Sequence, residues 1–76
     1  MNLEKIDSIK EKILFEIKRF NITLKYGFGD QVTLKAGNKP MITNDGWLIL
    51  LSDDNNEQKY IYLGSVYELI LDVNVG

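Results

Sequence analysis

The sequence predicts an α+β fold: an N-terminal amphipathic helix packed on an antiparallel sheet of four to five strands, with a short C-terminal helix. Two observations carry most of this reading. Up to Phe20, apolar residues recur every three or four positions; from Ile22 onward the period changes to two. A third is punctuation: Gly, Asn, Asp and Pro cluster between the alternating runs at short intervals, as turns between strands require. A chain of 76 residues is too short for two cores, so residues 1–76 are expected to form a single domain.

The helix is expected from Asn2 to Phe20. Leu3, Ile6, Ile9, Ile13, Ile17 and Phe20 form one apolar stripe, with Leu14 at its edge, while Glu4, Lys5, Glu11, Lys12, Lys18 and Arg19 fill the other face. Asn2 suits the N-cap and Asn21 the end. Phe15 breaks the pattern, standing about 160° from the middle of the stripe at ~100° per residue.

Alternation then marks a hairpin. Ile22, Leu24 and Tyr26 alternate with Thr23 and Lys25, and Val32 and Leu34 with Thr33 and Lys35, across the turn composition Gly27-Phe28-Gly29-Asp30. Ala36 to Pro40 breaks the second strand. A short strand, Met41 to Thr43, is expected next, followed by the Asn44-Asp45-Gly46 turn, since Asp-Gly suits positive φ.

Trp47 to Leu51 is apolar at every position, as in a strand covered on both faces. Asp53 to Asn56 reads as a polar turn, and Tyr60 to Leu63 as the strand pairing back. In this second hairpin Trp47, Ile49 and Leu51 point one way and Leu48 and Leu50 the other. Tyr60 and Tyr62 likewise oppose Ile61 and Leu63. One helix cannot cover both faces.

The C-terminal segment fits two readings. Tyr67, Leu69, Leu71, Val73 and Val75 alternate as in a strand, whereas Val66, Leu69, Ile70 and Val73 follow a helical stripe. Ser65 with Glu68 three residues later matches a capping box, so the helix is the favoured expectation.

Composition narrows the chemistry. The chain has no Cys and no His, which removes disulfides, thiolate nucleophiles, the strong zinc patterns and the commonest general base. Ten Leu and nine Ile supply a core, so disorder is not expected. The apolar residues form no run of membrane-span length, and charges interrupt Met1 to Lys12 where a signal peptide would be continuous. Residues 1–29 hold six bases and four acids, and residues 30–76 three bases and seven acids, so the second half is mildly acidic.

No segment carries a chemical motif intact. Gly27-Phe28-Gly29-Asp30 has two glycines of a phosphate loop, but Val32 stands at the third glycine position and a strand follows, so a hairpin turn is expected. Asp53 to Glu57 begins like a calcium loop, yet Gln58 and Gly64 occupy its glycine and glutamate positions. Ser65 lies in no G-x-S-x-G and has no His to activate it. The adjacent carboxylates Asp53 and Asp54 point to opposite faces of an extended chain. Lys18, Arg19, Lys25 and Lys35 make only a sparse basic surface, which argues against nucleic acid as a partner.

The expected function is therefore that of a small non-catalytic binding protein, not an enzyme, cytoplasmic and without metal or cofactor. Trp47, Tyr60, Tyr62 and Phe15 are the candidate anchors, and Asp53, Asp54 and Glu57 the candidate acidic rim. The expected partner is another protein. Size and a Lys-, Ile- and Asn-rich composition suggest a phage or mobile-element inhibitor of a bacterial enzyme, such as a defence nuclease in the manner of an anti-CRISPR protein. The alternatives are a structural or regulatory homodimer paired through the second hairpin, and a weak nucleic-acid binder.

Overall fold

The computed structural model describes residues 3–51 and 58–72. One helix, α1 (Leu3–Glu16), precedes six strands: β1 (Asn21–Tyr26), β2 (Asp30–Leu34), β3 (Met41–Ile42), β4 (Trp47–Leu51), β5 (Gln58–Tyr62) and β6 (Val66–Asp72). The strands form two antiparallel three-stranded sheets, β2-β1-β6 (sheet A) and β3-β4-β5 (sheet B). The α+β class holds; the expected sheet of four to five strands is instead six strands in two sheets.

The helix ends earlier than its periodicity suggests. Phe20 and Arg19 both donate their amides to the Glu16 carbonyl, tightening the last turn, and Asn21 already opens β1. The Ile17 carbonyl accepts the Gly37 amide at 2.7 Å, and the Asn21 Oδ1 accepts the Ala36 amide at 2.8 Å. The segment after β2 thus caps the helix C-terminus and anchors the start of β1, satisfying polar groups that the turn would leave open. The expected N-cap Asn2 lies outside the described residues.

The first hairpin forms as expected. Ile22 pairs with Leu34 and Leu24 with Val32, and Gly27 and Gly29 adopt the positive φ of its turn. Ile22, Leu24 and Leu34 enter the core. The other side of sheet A is mostly polar: the Thr23 and Thr33 hydroxyls are 3.0 Å apart, Lys25 lies 3.7 Å from Glu68, and the exposed Ile70 stands opposite Thr23.

The C-terminal helix is not formed. Val66–Asp72 is β6, which pairs with β1 from Asn21↔Asp72 to Tyr26↔Val66. The ladder slips between Lys25 and Tyr26: Lys25 faces Glu68 while Tyr26 faces Val66, so Tyr67 is an extra residue. This bulge puts Val66 and Leu69, three positions apart, on the same inner face. That spacing produced the helical stripe. Ser65 does not cap a helix with Glu68; its hydroxyl donates to the Tyr62 carbonyl at 2.7 Å, closing the 3-10 turn Leu63–Ser65.

A single cluster of buried side chains joins the layers: Ile13 and Ile17 from α1, Ile22, Leu24, Leu34 and Val66 from sheet A, Leu48 and Ile61 from sheet B, and Leu63 from the 3-10 turn. Ile6 is also buried and meets the β3–β4 turn at Gly46. Among the described residues no helix is long and apolar enough to cross a membrane.

Candidate functional site

The surface that stands out is the outer face of sheet B, and register builds it. In β4 the inward positions are Leu48 and the half-buried Leu50. Trp47, Ile49 and Leu51 therefore project outward. Trp47 pairs with Tyr62, Ile49 with Tyr60 and Met41 with Ile49, which brings the three aromatics and Met41 onto one face. Residues Val66–Asp72 do not cover it, because they pair with β1 in sheet A as β6. Met41 is 55 % exposed, Leu51 63 %, Tyr60 54 %, Trp47 39 % and Tyr62 37 %. Among the described residues, the strands contribute no charged side chain to this face; Lys59 pairs with Leu50 and belongs to the other.

The aromatics are held in place. The Trp47 and Tyr62 rings lie 5.2 Å apart between centroids and are tilted by 43°. The Tyr62 ring also lies directly against Gly64, whose position would bring any Cβ into contact with it. The Tyr60 hydroxyl donates to Gln58 Oε1 at 2.7 Å. At the end of β4 nearest the β3–β4 turn, the Trp47 amide donates to Thr43 Oγ1 at 3.0 Å, and the Thr43 hydroxyl donates to Asp45 Oδ1. Thr43, Asp45, Trp47 and Tyr60 together line a shallow, open, mostly apolar groove.

Of the sequence-derived candidates, Trp47, Tyr60 and Tyr62 come together. Phe15 does not join them. It is exposed, but α1 turns its buried stripe into the same core that Leu48 and Ile61 enter from sheet B, so Phe15 faces away on the opposite side of that core. Asp53, Asp54 and Glu57 lie outside the described residues. Three apolar members of the face, Met41, Ile49 and Leu51, were not among the candidates, although alternation from Trp47 pointed to the last two. Phe28, fully exposed at the β1–β2 turn, was also passed over. A large aromatic between two turn glycines was the available signal.

Elsewhere the surface is ordinary. Lys59 sits 5.7 Å above the Tyr26 ring centroid, linking β5 to β1, and a hydrogen bond to the Tyr26 hydroxyl raises the Lys59 ammonium above its usual pKa. Among the described residues, Asp and Glu form no group of three or more that could hold a metal ion. No protein-family model matches the chain, and no curated protein or solved structure is significantly similar to it.

Proposed function

We propose that this is a binding protein that engages another protein through the outer face of sheet B. The observation behind this reading is the contrast between the two sheets. Sheet A turns threonines, a Lys–Glu pair and the single apolar Ile70 to solvent, whereas sheet B turns out Met41, Trp47, Ile49, Leu51, Tyr60 and Tyr62. A contiguous apolar patch rich in Trp and Tyr is the composition of an interface core.

Size favours a second protein over a second copy. At about 200 Å² per large side chain, the exposed fractions leave roughly 500 Å² on this face. Two such patches face to face would bury roughly 1,000 Å², below the ~1,200–2,000 Å² of stable specific interfaces. A larger partner can add a polar rim around the same patch. In this reading the protein acts by occupying a working surface of its partner. The setting suggested by size and composition is inhibition of a bacterial enzyme such as a defence nuclease. The homodimer is the second reading, favoured by strands that, among the described residues, bring no charged side chain to the face, so that self-pairing would meet little like-charge repulsion.

The test places a photo-crosslinking residue at Leu51 or, as control, at Thr33 on sheet A. Cross-links to one defined protein from Leu51 alone support the reading. They should disappear when Tyr60→Ala is added. Equal cross-linking from both positions overturns it. Sedimentation at micromolar concentration decides the second reading: a strict monomer ends the homodimer.

A further inference from the structure

We propose that the open edge of β6 takes up an extended segment of another protein as a fourth strand of sheet A, and that this segment carries basic residues on either side of an apolar one. The site is separate from the aromatic face of sheet B and stands independently of it.

Among the described residues β6 is the longest strand, with seven residues, and it ends the order β2-β1-β6. The Gly27 amide donates to the Ser65 carbonyl, which fixes the phase of the β1–β6 ladder. Lys25 and Thr23 therefore also turn amide and carbonyl toward β6, while Leu24 and Ile22 turn theirs toward β2. The partners follow suit. Glu68 and Ile70, opposite Lys25 and Thr23, bond to β1; Leu69 and Leu71, opposite Leu24 and Ile22, direct amide and carbonyl to the free edge. Among the described residues no hydrogen bond reaches those groups. An antiparallel strand laid there would make about four backbone hydrogen bonds, two with each leucine.

Both faces of β6 have a place for the side chains of such a strand. On the inner side a groove opens between α1 and β6, lined by Lys5, Ser8, Ile9, Tyr67 and Leu69. Ile9 and Leu69 pack on the core yet stay partly exposed, so apolar residues opposite Leu69 and Leu71 would extend that layer. On the outer side Glu68, Ile70 and Asp72 alternate as acid, apolar, acid. A strand reading base, apolar, base at alternate positions meets each of them with a favourable cross-strand pair. The Lys25 contact of Glu68, at 3.7 Å and exposed to solvent, is loose enough for the carboxylate to be shared with a second base.

The same pattern disfavours a second copy of the chain. Antiparallel pairing about Ile70 would set Glu68 against the other copy's Asp72, and pairing about Leu69 would set the Tyr67 bulge against Leu71.

The probe is the acetylated, amidated peptide Thr-Lys-Val-Val-Val-Lys-Thr, titrated into the intact chain and followed by its backbone amide resonances. Its middle valine would lie opposite Ile70, its other valines opposite Leu69 and Leu71, and its lysines opposite Glu68 and Asp72. In the free chain the Leu69 and Leu71 amides should exchange with solvent much faster than those of Glu68 and Ile70; the peptide should protect them and leave the Trp47 indole unmoved. Methylating the backbone nitrogens of the two outer valines should weaken binding at least fivefold, whereas methylating the middle valine, whose N–H points away from β6, should leave it within about twofold. Replacing both lysines by glutamate should also cost at least fivefold. Glu68→Lys should narrow or reverse that preference, with unchanged amide dispersion confirming the fold.

No binding up to the solubility limit, equal binding of the glutamate peptide, or indifference to which valines are methylated each overturns the proposal. So does protection of the Leu69 amide in the free chain; if sedimentation then shows a dimer, the edge belongs to a second copy. The cross-link from Leu51 reports on sheet B alone, so either reading can fall while the other stands.

Discussion

The side chain of Ile6 leaves no room at Gly46: a Cβ placed there would stand 2.8 Å from Ile6 Cγ2. Gly46 also holds φ at +94°, where a side chain is strained whatever the space. The β3–β4 turn therefore seats the first half of α1, and the helix and sheet B are fitted at a point where only glycine serves. Gly46→Ala should lower stability by about 2–4 kcal/mol, from strain at positive φ plus overpacking. Adding Ile6→Ala should recover part of the overpacking share and none of the backbone share. Urea unfolding of both variants measures this, and strict additivity of the two changes would refute the contact.

Leu48 and Ile61 are fully buried opposite each other in β4 and β5, on the reverse of the aromatic face. Leu48→Ala should cost about 2–5 kcal/mol and Ile61→Val about 0.5–1.5 kcal/mol. The same strands carry outward residues whose removal should be nearly silent: Leu51→Lys should stay within about 0.5 kcal/mol. A large loss at Leu51 by thermal unfolding would mean that something in the folded chain covers it.

Ser65 and Glu68 distinguish the observed strand from the capping box their spacing suggested. With Ser65 closing the 3-10 turn, Ser65→Ala should cost about 0.5–1.5 kcal/mol. Glu68 only faces Lys25 at an exposed 3.7 Å, so Glu68→Gln should change stability by less than about 1 kcal/mol, and less still at high salt. A capping box would make both substitutions costly and the pair non-additive.

Lys59 supplies the pH dependence. Its hydrogen bond to Tyr26, together with the charge interactions of Tyr26 and Asp30, raises its pKa in the folded chain above 10.5. The contribution is fully present below the unfolded value and is lost as pH rises through the folded one. The stability gap between the native chain and Lys59→Met should be constant through neutral pH and close only in the alkaline range above 10.5. Circular dichroism melts across pH report it; a gap that narrows on acidification would contradict the assignment.

The aromatic face shows how far local pattern reaches. That Trp47, Ile49 and Leu51 share one side, with Tyr60 and Tyr62 across from them, follows from period two and the position of the turn. The exposure of that side does not, because it depends on where residues 66–72 go. Those residues pair with β1 at least forty positions away, and the Tyr67 bulge disguises their alternation by placing Val66 and Leu69 three apart.

By itself the sequence determined the amphipathic helix, both hairpins, the turns at Gly27–Asp30 and Asn44–Gly46, and the inward set Ile13, Ile17, Ile22 and Leu24, while leaving open which face of the second hairpin turns inward. Each of these is set by periodicity or by backbone freedom within a few residues. Only the tertiary structure decided that β6 is a strand, that the strands divide into two sheets, and that Asp45 lies beside Trp47 and Tyr60. Those outcomes depend on which distant segments satisfy one another's backbone hydrogen bonds, and a local pattern does not encode the partner.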